Sequence, residues 1–185
     1  MKITTKKGDT GRTAMLNKRR RVAKTNIRKQ INGTLDEVGA VLGLARATCE
    51  RKRIAALILR IQQELFLIGS EVAASPDDIG MLDNRIGARH VRRLERGMNS
   101  IEERMPMPED FVVAGATQVS AMLDMARTFT RRAERKAVEA REQEIIKSAH
   151  LMKYLNRLSD YIFTLARYYE FLETGKAEWL SPRNP

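Results

Sequence analysis

Apolar positions recur along this chain at the i, i+3, i+4, i+7 spacing of amphipathic helices. The clearest stripe is Ile54, Leu57, Ile58, Ile61, Leu65, Ile68 and Val72, which Ser75-Pro76-Asp77-Asp78 and Gly80 break. Ahead of it, Leu35, Val38, Leu42 and Ala45 form a first stripe. There Thr34-Leu35-Asp36-Glu37 fits a capping box, or else the helix begins upstream and runs through Gly33. A third stripe, Val91, Leu94, Met98, Ile101 and Met105, is stopped by Pro106 and Pro108. The fourth runs from about Thr117 with Met122, Ala126, Phe129 and Ala133. The fifth carries Ile145, Ala149, Met152, Leu155, Leu158, Ile162, Leu165 and Tyr169, and ends at Gly175 and a Pro-containing tail. No strand series and no internal repeat stand out. The pattern predicts an all-α fold, a five-helix bundle with ferritin-like up-and-down packing behind a flexible basic N-terminal loop. A length of 185 residues predicts a single domain, with an arm at 1–29, the bundle at 30–173 and a tail at 174–185.

Charge changes this picture because it is concentrated. Residues 1–29 hold eleven of the 34 basic residues against the single acid Asp9, a net of +10. The rest of the chain carries 23 basic and 22 acidic residues, a net of +1. Such a field attracts phosphates, whether of nucleotide, nucleic acid or membrane surface. Ten aromatic residues are few for this length, so aliphatic side chains and the nine methionines are expected to fill the core. The single Cys49 cannot form an internal bridge and fits a reducing compartment. No apolar run approaches the roughly 20 residues that span a bilayer, and no hydrophobic segment follows Met1. A soluble, cytoplasmic protein is expected.

Few residues offer chemistry. The arm contains Thr5-Lys6-Lys7-Gly8-Asp9-Thr10-Gly11-Arg12-Thr13, where two glycines let backbone N–H groups turn toward an anion. It lacks the Walker spacing and a preceding strand, so by composition alone a solvated basic arm explains it as well. On the fourth helix Arg127, Arg131 and Glu134 share a face, with Asp124 one turn before Arg127 and Arg132 and Arg135 alongside. That run is either a salt-bridged solvated face or a guanidinium cluster for a polyphosphate. On the fifth helix Asn156, Asp160, Phe163 and Arg167 form a second shared face, whose polar members need partners if buried. His90 and His150 match no metal-ligand spacing, and no nucleophile triad is present.

Four blocks together resemble the trimeric, propanediol-utilisation type of ATP:cob(I)alamin adenosyltransferase. They are Thr5–Thr13 followed by Arg21-Val22-Ala23-Lys24; Gly33-Thr34-Leu35-Asp36-Glu37 leading to Gly43-Leu44-Ala45; Phe111 to Gly115 leading into Arg127-Thr128-Phe129-Thr130-Arg131-Arg132-Ala133-Glu134-Arg135; and Tyr154 through Phe163. The similarity spans roughly residues 3–169, and its last two blocks are the most specific. The resemblance implies a homotrimer with active sites between subunits, which transfers the adenosyl group of ATP to the cobalt of a reduced corrinoid and releases triphosphate. It implies that Thr5, Lys6, Lys7, Gly8, Thr13 and Lys24 wrap ATP, and that Arg131, Arg132, Glu134, Arg135 and Asn156 complete the nucleotide site. Asp36 and Arg127 are expected to form an intersubunit salt bridge and to join Arg131 in catalysis. Phe111 is expected to keep the lower axial ligand from cobalt. Magnesium is expected on the ATP phosphates, without a direct protein ligand. A cobalamin reductase and an adenosylcobalamin-dependent enzyme are the implied partners, with neither nucleic acid nor membrane.

The chain departs from the family pattern in places. Lys7 stands for Thr; Gln30, Asn32 and Gly39 stand for Glu, Tyr and Asn; Ala114 and Ala116 stand for Pro and Gly; and Asp124 stands for His. The competing readings are a basic helical nucleic-acid-binding or adaptor protein, and a family member that binds ATP or adenosylcobalamin without turnover.

Overall fold

The computed structural model describes residues 4, 6–16 and 21–182. Among these, five helices carry the fold: α1 (Ile27–Thr48), α2 (Lys52–Ala73), α3 (Ala88–Glu102), α4 (Gln118–Glu142) and α5 (Ala149–Thr174). A single 3-10 turn spans Ile79–Met81. α1 packs on α2 and most extensively on α4, and α5 packs on α4 and α3. The predicted all-α bundle is therefore the observed architecture.

Two features go beyond the stripes read in the sequence, the upstream start left open for α1 and a short hairpin. α1 starts at Ile27, capped by the Asn26 side chain accepting from Arg28 N–H at 3.1 Å. It runs through Gly33, and the Thr34 hydroxyl donates to Gln30 O at 3.1 Å, inside the helix rather than at a cap. Fully buried Ile31 extends the apolar stripe upstream, which is why helix rather than loop occupies residues 27–33. The second feature is a small hairpin within the arm, β1 (Arg12–Ala14) paired antiparallel with β2 (Arg21–Ala23), in the register Thr13↔Val22. Three-residue strands are too short to display alternation in the sequence.

The helix ends follow capping chemistry. Thr117 caps α4 by accepting from Ser120 N–H at 3.1 Å, Ser148 caps α5 through Leu151 N–H at 3.2 Å, and Gly175, at φ +69°, ends α5 in the left-handed conformation. Arg28 binds the bundle at one end, donating to Val72 O and Ala74 O at 2.7 Å and to Ile145 O at 2.6 Å. It thereby satisfies carbonyls at the end of α2 and fixes the approach to α5.

The core is aliphatic, and on α4 it is mostly alanine: Ala126, Ala133, Ala137 and Ala140 are fully buried. These small side chains let α1 and α5 approach closely, while Met122 and Phe129, read as stripe members, lie at its margin. The methionine expectation holds for Met15, Met105 and Met152, which are buried, but Met81 and Met125 are exposed. A buried polar junction joins α2, α3 and α5. Tyr154 Oη donates to Glu64 Oε2 at 2.5 Å, and Arg93 Nε donates to Glu64 Oε1 at 3.1 Å. Burial, followed by the Glu64 charge, pushes the Tyr154 phenol well above its ordinary value, so it remains the donor.

His90 closes the start of α3, its Nδ1 accepting Gly87 N–H at 3.0 Å. Burial lowers the imidazole below its ordinary value, outweighing the pull of Glu64. A depressed value in the folded state means that the contribution is present above the unfolded-state value near 6.5 and is lost as pH falls. As pH falls from about 7.5 to about 5.5 the protein should therefore lose stability relative to His90→Gln, whose side chain does not titrate. Urea denaturation of both proteins across that range checks this; parallel pH dependences would contradict it.

Candidate active site

The chemistry-bearing residues of α4 are sorted by what holds them. Arg132 forms an ion pair with Glu37 of α1, its guanidinium 4.6 Å from the Phe129 ring centroid. Lys136 donates to Gln30 Oε1 at 2.5 Å, and Gln30 Nε2 donates to Thr25 O at 2.7 Å, which ties the root of the arm to α4. Glu134 accepts from Asn156 Nδ2 at 3.0 Å, and Asn156 Oδ1 accepts from Arg157 at 2.7 Å. The polar face read on α5 is thus exposed at Asn156 and Asp160, with the Asn156 amide bonded at both its nitrogen and its oxygen. Arg131 and Arg135 are exposed and have no acidic partner among the described residues. They are the free cations of the block.

Arg127 is placed differently. Its Nε lies 3.3 Å from Asp124 Oδ1, and the other Asp124 oxygen accepts from Arg167 Nη2 at 2.6 Å. Arg167, only 1% exposed, also faces Glu170 Oε2 at 2.8 Å. The Phe163 ring serves both guanidiniums, at 5.9 Å from Arg127 and 5.1 Å from Arg167. Arg167 therefore belongs to a buried ion chain, not to the solvent-facing row with Asn156 and Asp160. Within the chain Asp36 is exposed and makes no ion pair with Arg127.

Between α3, α4 and α5 lies a cleft of about 380 Å³, lined among others by Met98, Glu102, Arg127, Arg131, Asp160 and Phe163. It combines Arg127 and Arg131 with Glu102 and Asp160 between the apolar side chains of Met98, Met107 and Phe163, a lining suited to a ligand with both polar and apolar parts. Phe111, 77% exposed, lies in the loop between α3 and α4, as the two prolines led one to expect. That loop is tied to the tail by Val113 N–H donating to Leu180 O at 2.8 Å.

In the arm, Thr5 lies outside the described residues. Lys6 takes a left-handed φ of 56° and Gly11 one of 70°, around a turn closed by Gly11 N–H donating to Gly8 O at 3.2 Å. Arg21 supports this turn by donating to Lys7 O and, at 2.9 Å, to Arg12 O. The Lys24 ammonium lies 3.4 Å from where a Cβ on Gly8 would stand. The structure thus brings Lys24 to the Gly8 turn, with Thr13 on β1 beside it and Met15 buried as the hairpin's anchor. No ion pair or hydrogen bond joins Lys6, Lys7 or Lys24 to Arg131, Arg132, Glu134 or Arg135 among the described residues.

The sequence missed the Asp124–Arg167–Glu170 chain and the shared Phe163 platform. Asp124 was visible one turn before Arg127, but nothing in the spacing reveals that its second oxygen reaches another helix.

Comparison with known proteins is consistent across three kinds of match. The cobalamin adenosyltransferase family model matches residues 3–169. The chain is 34% identical over 167 residues to the corrinoid adenosyltransferase PduO of Citrobacter freundii, an alignment covering 90% of this chain and 49% of that protein. It therefore spans about half the length of that relative and of the Salmonella typhimurium PduO. It is also 34% identical over 171 residues to the corrinoid adenosyltransferase of Bacillus subtilis, covering 90% of this chain and 86% of that one. A variant PduO-type ATP:corrinoid adenosyltransferase from Lactobacillus reuteri, complexed with cobalamin and ATP, superposes with a TM-score of 0.85 at 31% identity, over 93% of this chain and 92% of that one. Another variant, complexed with ATP, gives a TM-score of 0.83 at 30% identity, over 93% and 96% of the two chains.

The buried ion chain generates a stability test. Arg167→Met leaves Glu170 unpaired and Asp124 half-paired in the interior, which should cost roughly 3–5 kcal/mol. Adding Asp124→Asn and Glu170→Gln removes the stranded charges and should recover most of that loss. Urea denaturation of the single and triple variants checks this, and a triple variant no more stable than the single one would contradict it.

Proposed function

The chain belongs to the cobalamin adenosyltransferase family, and on that premise we propose that it transfers the 5′-deoxyadenosyl group of ATP to the cobalt of a reduced corrinoid, releasing triphosphate. The observation that carries the reading is the division of labour on α4: Arg132 and Glu134 are tied to neighbouring helices, while Arg131 and Arg135 stand free of acids. Free guanidiniums beside a cleft that also offers the apolar side chains of Met98, Met107 and Phe163 suit a reaction in which a polyanion leaves and a larger substrate stays.

Cobalt(I) of the substrate attacks the ribose 5′ carbon, and the electron pair of the broken carbon–oxygen bond departs with triphosphate. Arg131, in the cleft wall, neutralises the charge that grows on the leaving oxygen, and its planar fork fits two phosphate oxygens. Arg135, Lys6, Lys7 and Lys24 hold the remaining phosphates, and backbone N–H groups around Gly8 approach them where no Cβ intervenes. Thr5 and Thr13 supply hydroxyls to the same loop. Glu134, oriented by Asn156, accepts from the nucleoside. The exposed Phe111 ring covers the lower face of the corrinoid and keeps its base from cobalt. Magnesium in this reading is held by the ATP phosphates rather than by a protein side chain. When bound it would add further charge neutralisation on the triphosphate.

Among the described residues no ion pair or hydrogen bond joins the arm's lysines to Arg131 or Arg135, and Asp36 makes no ion pair with Arg127. A homotrimer resolves both, with the arm of one subunit meeting α4 of the next and Asp36 paired across the boundary with Arg127. Catalysis in this reading needs a reductase upstream, to supply cobalt(I), and an adenosylcobalamin-dependent enzyme downstream. Among the described residues no helix is long and apolar enough to cross a membrane.

Sedimentation at micromolar concentration should give a trimer; a monomer with and without magnesium-ATP would contradict the shared site. Arg131→Lys keeps the charge but loses the fork, and should lower kcat at least a hundredfold, about 2.7 kcal/mol, with an unchanged circular dichroism spectrum. Turnover within threefold of the parent would remove Arg131 from the reaction.

A further inference from the structure

Away from the α4 cleft, a second cavity of about 650 Å³ opens where α2 and α3 splay apart beyond the Glu64–Arg93 junction. Leu57, Ile101, Tyr168 and Leu172 contribute its apolar surface. The charged residues in its lining are Arg51, Lys52, Arg53 and Arg104, and no acid lines it. Arg51 is occupied, its Nε 2.9 Å from Glu173, but Lys52, Arg53 and Arg104 have no acidic partner among the described residues.

Two further observations point inward. The 22-residue α2 begins at this cavity with no side-chain cap and no acid in its first turn. The positive dipole end of α2 therefore adds to the cations around this space, and an anion there would offset both. Tyr161, 1% exposed, lines the cavity, and its hydroxyl has no hydrogen-bond partner among the described residues. The ring sits there because Gly97 has no side chain: a Cβ on Gly97 would come within 2.7 Å of the Tyr161 ring and 3.1 Å of its hydroxyl oxygen. With the rest of the side chain enclosed, the hydroxyl is the part of Tyr161 left to bond a group in the cavity. Burial raises Tyr161 above its ordinary value, so it is a neutral donor and acceptor across the physiological range.

We infer that this cavity is a binding site for a small amphipathic anion, whose acidic head meets Lys52, Arg53, Arg104 and the start of α2, and whose apolar body carries one group that hydrogen-bonds Tyr161. The site is separate from the adenosyl-transfer cleft, on residues that share none of its lining.

The probe pair 8-anilinonaphthalene-1-sulfonate and its neutral analogue N-phenyl-1-naphthylamine tests this on the full chain. Both carry the same apolar body and amine, and only the first has the anionic head. The sulfonate should bind saturably at one site per chain, at least tenfold more tightly than the neutral probe. Lys52→Glu with Arg104→Glu, both exposed and safe for folding, should weaken it tenfold or more. Tyr161→Phe should weaken it severalfold, and Arg131→Lys should leave it unchanged. Equal affinity for the two probes, no saturable site, or insensitivity to the charge reversals would overturn the proposal. Loss of sulfonate binding in Arg131→Lys would place the probe in the other cleft and overturn it equally. Adenosyl transfer is read separately, so failure of either reading leaves the other standing.

Discussion

One carboxylate holds two helices and two arginines in register. Asp124 divides its oxygens between Arg127, at the cleft wall, and Arg167, in the interior. An interior guanidinium is tolerated only with charge compensation, and here Asp124 and Glu170 supply it as ion-pair partners while the Phe163 face packs against the group. Arg167 Nη2 donates to both acids, and among the described residues Arg167 Nε makes no hydrogen bond. The compensation requires α4 and α5 to lie close, which the buried alanines of α4 permit. Once that spacing is set, the next turn of α4 delivers Arg131 to the cleft, while Arg132 and Glu134 are spent on α1 and α5. The free cations are therefore those that the packing does not use, which is what recognition of a polyanion demands.

Several departures from the family pattern have partners within this chain. Gln30 bridges the arm root and Lys136, and Gly39 O accepts from Gln62 Nε2 at 2.9 Å. Asn32 Nδ2 donates to Gly69 O at 3.1 Å, leaving its oxygen buried without a partner. Asp124 anchors the ion chain. These positions are built into the subunit's own contacts, and the α4 block that faces the cleft is left intact.

Much of this was legible in the sequence because helices write a 3.6-residue period. The α2 stripe is buried as read at Ile54, Ile58, Ile61, Leu65, Ile68 and Val72, and the breaks at Pro106, Pro108 and Gly175 fall outside helices. The α4 block could be recognised because Arg127, Arg131 and Glu134 recur at helical spacing within a run that resembles a family motif. Less legible was anything that depends on two elements meeting. The hairpin is too short for a period, and Arg167 looks polar and solvent-facing until α4 is laid over it. The capping-box pattern at Thr34 was locally valid, but the tertiary contacts of Ile31 extended the helix past it. Tyr161 can pack against α3 because Gly97 lacks a side chain, which spacing alone cannot convey.

The most direct measurement is single-turnover chemistry under strict anaerobiosis with magnesium-ATP and chemically reduced cobalamin. The account predicts that the visible spectrum of cobalt(I) gives way to that of an alkylated, cobalt–carbon-bonded corrinoid, with one triphosphate released per corrinoid converted. ATP cleaved to diphosphate and phosphate without a cobalt–carbon product, or tight ATP binding with no conversion, would contradict it.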